Sequence, residues 1–211
     1  MSDAIEVRRA HYRDCRDLFD EMASLHRDLI HGGILPLLGK RFLANLYREI
    51  AGTESGFVGI ALQGNKLVGF AAGAWDIWKC SCGLSAAGYL RLGLDFLVHL
   101  PSPGIFQKAF DAFCYPFRKG EESPENDLSQ DKHRAELLAI AVDSTTQGQG
   151  AGRLLVRALE DFLKPHVSGY FVTTNIDDPK ANAFYRAVGF AEVGRKKHHT
   201  LMLQTYFKRL Q

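Results

Sequence analysis

The sequence predicts an α/β domain built on a mixed sheet, and three observations carry that prediction. Glu136 to Leu159 (ELLAIAVDSTTQGQGAGRLLVRAL) runs from an apolar stretch, Leu137–Val142, through a polar turn and a glycine-rich loop into residues at helical spacing. The chain before it reads as strand, helix, helix, strand, strand. The chain after it reads as strand, helix, strand, strand. With 211 residues, 46% hydrophobic and 24% charged, the expectation is a single domain over 1–211 with an ordinary buried core.

The elements follow in order. Ile5–Ala10 alternates apolar and charged residues, as a half-buried strand does. Tyr12–Leu29 carries a helical stripe through Cys15, Leu18, Phe19, Met22 and Leu25, broken by His31-Gly32-Gly33. Gly39–Ile50 places Phe42, Leu43, Leu46 and Tyr47 on one helix face. Phe57–Leu62 and Lys66–Ala74 form a hairpin around Gln63-Gly64-Asn65, with glycine and asparagine where positive φ is wanted. Residues 77–131 then intervene: an amphipathic helix over Ser85–Leu100, a second over Phe106–Tyr115 ended by Pro116, and a polar loop over 118–133. After the glycine loop and its helix, Gly169–Thr174 is a strand and Asp178-Pro179 opens a helix over Lys180–Val188 that stops at Gly189. Phe190–Gly194 and Leu201–Leu210 supply two last strands.

A glycine loop feeding a helix has a chemical use. The first-turn N–H groups lack intrahelical partners, the helix dipole is positive there, and glycine lets the backbone approach a ligand, so an anion, most often phosphate, binds. Spacing excludes a dinucleotide fingerprint, because the third glycine comes one residue early, and a P-loop, because Gly152 is followed by Arg153-Leu154. Gln147, Gly150 and Gly152 fit Q/R-x-x-G-x-G/A instead. Asn175, Ala181, Phe184, Tyr185, Gly189 and Phe190 fit N…A-x-x-[FY]-Y-x-x-x-G-F. On these two motifs the sequence resembles the GNAT superfamily of N-acetyltransferases. The resemblance covers nearly the whole chain outside 77–131. It implies a GNAT-like acyl-CoA N-acyltransferase fold with a helical insertion between the third and fourth strands.

The resemblance also implies acetyl-CoA as co-substrate and direct attack by an amine in a ternary complex. Tyr185 would be the general acid and Glu136, in the string AELLAIAV, the general base. His31, His198, His199 and Asp76 are rivals for the base. Read from periodicity alone, Tyr185 is a helix-face aromatic whose hydroxyl meets water, and Glu136 a solvent-facing residue at a strand's start. Ile140 and Val142 would offer backbone groups to the pantetheine arm, and the N–H of Ala141 or Val142 would polarise the thioester carbonyl. Gln147, Gly148, Gln149, Gly150, Ala151, Gly152 and Arg153 would hold the pyrophosphate. Asn175 and Asn182 would bond the pantetheine, and Phe184 would pack on the coenzyme or fill the core.

The acceptor is less legible. Its walls are expected from His31, Trp75, Asp76 and the 77–131 insertion, and the expected ligand is a small-molecule amine. The insertion has three uses open to it: an acceptor wall, a homodimer contact, or a membrane-surface contact through 85–117. A net charge of +2 gives no case for nucleic acid. The four cysteines are too few for a disulfide scaffold, and Cys80-Ser81-Cys82 lacks companions at zinc spacing, so no metal is expected. MSDAIEVRR has no apolar signal segment and no apolar run reaches about 18 residues, which reads as cytoplasmic. Two other functions stay open: a catalytically silent acyl-CoA-binding module, and an acyltransferase for a longer acyl-CoA.

Overall fold

The computed structural model describes residues 4–30, 35–98, 134–198 and 201–211. The second insertion helix and the polar loop expected at 106–115 and 118–133 lie outside these. Seven strands, β1 (Ile5–Arg9), β2 (Gly56–Gln63), β3 (Lys66–Ala74), β4 (Glu136–Val142), β5 (Gly169–Asn175), β6 (Ala191–His198) and β7 (Leu201–Arg209), form one sheet in the order β1-β2-β3-β4-β5-β7-β6. β4 and β5 pair in parallel, whereas the other neighbours are antiparallel, so the sheet is mixed as expected.

Helices cover both faces. α1 (Arg16–Leu29) and α2 (Gly39–Gly52) bury Phe19, Met22, Leu43 and Tyr47 against Ile60, Phe70 and Ala72. α5 (Ala151–Leu163) and α6 (Pro179–Ala187) bury Leu155, Leu159, Leu163 and Tyr185 against Val68, Leu137, Tyr170, Val172 and Tyr206 on the other. The period-3.6 stripes read from the sequence are these buried faces. α1 begins later than the predicted Tyr12, because Asp14 closes a turn by accepting from the His11 N–H (3.1 Å) and from Arg8 (2.8 Å).

Between β3 and β4 the described chain forms α3 (Ile77–Cys82), which the sequence reading missed, and α4 (Ala86–Val98). α3 starts where the buried Asp76 carboxylate accepts from the Lys79 N–H at 2.8 Å, a side-chain cap of the usual kind. α4 packs Leu92 on Leu38 and Phe42. Two buried carboxylates tie it to α2: Asp95 meets Asn45 (2.6 Å) and Arg41 (2.8 Å), and Glu49 accepts from the Ser85 hydroxyl (2.9 Å). No helix among the described residues is long and apolar enough to cross a membrane. β6 extends to His198, past the predicted end at Gly194. Its ladder to β7 supplies the backbone bonds while Arg195 and Lys197 stay exposed, so the segment shows no apolar alternation to read.

One irregularity positions everything that follows. The β4–β5 ladder holds Glu136↔Phe171 and Leu137↔Val172 and then stops. β4 stays paired to β3 as far as Val142, and β5 to β7 as far as Asn175. Each strand is held on its outer side while the inner edges part, leaving 138–142 facing 173–175 across a gap.

Candidate active site

The glycine loop lies at the open end of that gap. Asp143 organises its first turn, accepting from the Thr145 N–H (2.9 Å) and hydroxyl (2.8 Å), and the buried Thr146 donates its N–H to the Asp143 carbonyl (2.9 Å). Gly148 and Gly150 then take φ of +82° and +92°, with open space around both. Gly150 is the left-handed cap of α5. Among the described residues, the N–H groups of Gly148, Gly150, Ala151, Gly152 and Arg153 have no acceptor within the chain. Five unpartnered donors at a helix N-terminus, with two glycines clearing the approach, suit an anion with several oxygens. Gly152 serves packing: a Cβ there would lie 3.0 Å from the Phe184 ring, a tight contact that the ring would have to yield to. Gln147 donates its side-chain amide to the Val142 carbonyl (3.1 Å), joining the loop to the end of β4. Gln149 and Arg153 are exposed.

A Gly150→Val replacement tests the loop. A branched residue at φ +92° costs about 1–3 kcal/mol of backbone strain. Calorimetric titration with acetyl-CoA is expected to show affinity lowered at least about tenfold for the same 1.4 kcal/mol per decade. Unchanged affinity in a folded variant would remove the loop from the binding site.

Along the gap, Ile140 and Val142 turn toward α5, and Ala139 and Ala141 toward α1. Between Ala72 and Gly73 the β3–β4 register shifts, leaving Leu138 as a bulge residue where the strands part. Leu138 is 41% exposed, unusual for the central strand of a sheet. The sequence reading missed it, because a bulge within LLAIAV looks like any apolar strand.

Glu136 begins β4 but does not face solvent. Its side chain is 12% exposed, and both Nε (3.0 Å) and Nη2 (2.7 Å) of Arg134 donate to its Oε2. Burial pushes its carboxyl pKa up, and the Arg134 charge and hydrogen bonds, Lys196 and Thr173 oppose that rise. Tyr185 is 6% exposed, more buried than Phe184, which reverses the expectation from helical period. Its ring lies against Phe184, Phe190 and Tyr206 (5.6, 5.7 and 5.8 Å between centroids). Burial pushes the phenol pKa up, so it stays protonated, and its hydroxyl has no hydrogen-bond partner among the described residues. By strand alternation, Glu136 projects from the face opposite Leu137 and hence opposite the α5–α6 layer that holds Tyr185.

Other expected residues are used differently. Asn182 donates to the carbonyls of Asn175 (2.9 Å), Ile176 (3.2 Å) and Asp178 (2.6 Å) and accepts from the Tyr206 hydroxyl (2.7 Å). That leaves it no free donor; it staples the turn between β5 and α6 in place of the expected pantetheine contact. The Asn175 side-chain oxygen accepts from the Asp177 N–H (3.0 Å), shaping the same turn. Trp75 stacks on His166 beyond the far end of α5 (4.8 Å, 17°), with the Lys79 ammonium over its ring (4.6 Å), so it is remote from the glycine loop. Asp76, as the cap of α3, is likewise not an open acceptor group. His31 and His199, and the side chain of His198, lie outside the described residues. Among the described residues, no group of three or more His, Cys, Asp or Glu could hold a metal ion.

The arrangement has known counterparts. The profile of the Acetyltransferase (GNAT) family matches residues 112–190. The whole fold resembles Ard1 from Thermoplasma volcanium (TM-score 0.59, 12% identity, 99% of both chains). It also resembles the ribosomal-protein-S18-alanine N-acetyltransferase from Escherichia coli (TM-score 0.55, 15% identity, 98% of this chain and 94% of that one). The fold is shared with these proteins, and residues 112–190 are similar to the GNAT family. A stretch of 64 residues is 39% identical to the N-alpha-acetyltransferase RimI of Mycobacterium tuberculosis, covering 30% of this chain. The match spans 39% of that relative's length.

Proposed function

We propose that this protein is a GNAT-type N-acetyltransferase that moves the acetyl group of acetyl-CoA to a primary amine. The observation that carries the reading is the parted β4–β5 edge, opening beside a loop of unpartnered amides. A ligand with a diphosphate at one end and an amide-containing arm fits both: the loop amides take the phosphate oxygens, and the strand edges pair with the arm's amides. Bound there, acetyl-CoA supplies an acyl carbon activated as a thioester.

The chain's residues supply the rest. Glu136 takes the proton from the attacking amine on one face of the sheet. Tyr185 gives a proton to the departing thiolate on the other. A β4 N–H polarises the carbonyl, with Leu138 at the bulge joining Ala141 and Val142 as candidates. Positioning both reactants at the gap removes entropy from the barrier before the reaction starts.

A small-molecule amine is the first reading of the acceptor. The α-amine of a polypeptide is the second, favoured by the stretch shared with RimI. Thiol release from acetyl-CoA with pools of amino sugars, amino acids, polyamines and peptides with free N-termini separates them. Release above the no-amine rate with one pool names the acceptor class. Glu136→Gln is expected to lower that rate about 10²-fold at neutral pH. Saturable acetyl-CoA binding without release from any pool would favour the silent binding module, and faster release from a longer acyl-CoA the third function.

A further inference from the structure

We infer that Arg134 is a positioning residue that orients Glu136 and holds it ionised at the pH where the enzyme works. The inference rests on the reading of Glu136 as the base and assigns a role that neither motif contains.

The geometry is asymmetric. Two guanidinium N–H groups converge on one carboxylate oxygen, Oε2, at 3.0 and 2.7 Å. Oε1 takes no bond from Arg134, and Thr173, on the β5 edge of the gap, lies beside the carboxyl. One oxygen is thus pinned by the guanidinium, and the other is not engaged by it. A fork of this kind fixes the carboxylate plane as well as its charge, which a point charge does not.

Arg134 is itself fixed before any ligand arrives. Its carbonyl accepts from the Ile77 N–H (3.3 Å), at the start of α3. The next carbonyl, Ala135, accepts from the Phe171 N–H (2.9 Å) on β5. Its guanidinium lies 5.3 Å over the Phe171 ring, and its side chain is 9% exposed. The insertion and β5 together therefore set the angle of the clamp.

The charge balance explains the need for it. Burial favours the neutral carboxyl, and a protonated carboxyl cannot act as a base. The charged groups facing it are Arg134, from the segment before β4, and Lys196, from β6, while Thr173 on β5 contributes a hydrogen bond. Of these, Arg134 acts most strongly in favour of the carboxylate. Removing its charge therefore raises the pH at which Glu136 ionises, and the acid limb of the rate profile moves upward.

The test uses the full chain and two readouts. In the first, kcat/KM for the accepted amine is measured from pH 5.5 to 9 in wild type, Arg134→Met and Arg134→Lys. The ratio of rates at alkaline and mildly acid pH is expected to rise about tenfold in Arg134→Met, for a one-unit move of the limb, and less in Arg134→Lys, which keeps the charge without the fork. In the second, carboxyl-¹³C-glutamate NMR follows the Glu136 titration, with the resonance assigned by its loss in Glu136→Gln. Its midpoint is expected to rise in Arg134→Met without any substrate present. An unmoved midpoint in a folded Arg134→Met protein overturns the inference. A raised midpoint together with full activity in Glu136→Gln keeps the Arg134 clamp on the carboxyl but removes Glu136 as the base, overturning the catalytic part.

Discussion

Tyr185→Phe is expected to lower kcat about 10²-fold or more while leaving the affinity for acetyl-CoA unchanged. The hydroxyl is the only group removed. Because it bonds to no other described residue, its loss opens no unpaired partner and leaves the aromatic packing on Phe184, Phe190 and Tyr206 in place. The phenol pKa is raised by burial first, then by Asp178 and Tyr206, so it remains a proton donor throughout the neutral range. Steady-state rates with the accepted amine, beside calorimetric acetyl-CoA binding, separate a lost proton donor from a lost site. If kcat is unchanged, Tyr185 is a core aromatic and another donor or water protonates the thiolate. If affinity and kcat fall together with a lowered unfolding midpoint, the residue is structural.

The second large effect concerns stability. His26 is 2% exposed, stacked on Phe70 (6.4 Å, 25°), with Nδ1 2.5 Å from the Tyr47 hydroxyl. Burial pushes the Tyr47 phenol pKa up, so its hydroxyl stays protonated beside Nδ1. Nε2 is buried without a partner. A cationic ring here would lose its hydration, and burial accordingly pushes the His26 pKa down from 6.5 to about 4. The unfolded chain binds the proton more readily than the folded one. The contribution is therefore fully present above pH 6.5, declines as pH falls, and is lost below about 4. The whole span amounts to about 3 kcal/mol, with about 2 kcal/mol already gone at pH 5. Urea unfolding of wild type and His26→Leu at pH 7.5 and 5.0 checks this. The variant is expected to be less stable at pH 7.5, through the lost Tyr47 bond, but to lose about 2 kcal/mol less between the two pH values. Equal losses would mean that His26 does not titrate against folding.

How much of this was legible depended on range along the chain. α5 and its loop were readable because glycine spacing and helical period are local, and Gly150 at φ +92° marks the junction the motif predicted. The start of α6 was readable for the same reason, since Asp178 caps Ala181 at 2.9 Å beside Pro179. Tyr185 was found by motif alone; its helical period argued against burial, because the cover comes from Tyr206 and Phe190 and not from its own helix. Trp75 and Asp76 looked like a pocket wall because they follow β3 directly. Alternation sent Trp75 to the α5 face, and Asp76 became the cap of a helix that too few residues had announced.

The sequence by itself determined the order of the elements, the left-handed glycines of the loop before α5, and the capped helix bearing Tyr185, since each depends on φ preference or side-chain period within a few residues. Only the tertiary structure decided what lies between them. Where β4 and β5 part depends on the pairing of β4 with β3 and of β5 with β7, across separations no local pattern encodes. Whether Glu136 meets water or Arg134 depends on the packing of the insertion and β5 around it. Strand pairing and burial are properties of distant partners, so the chemistry of the gap appears only when the sheet has formed.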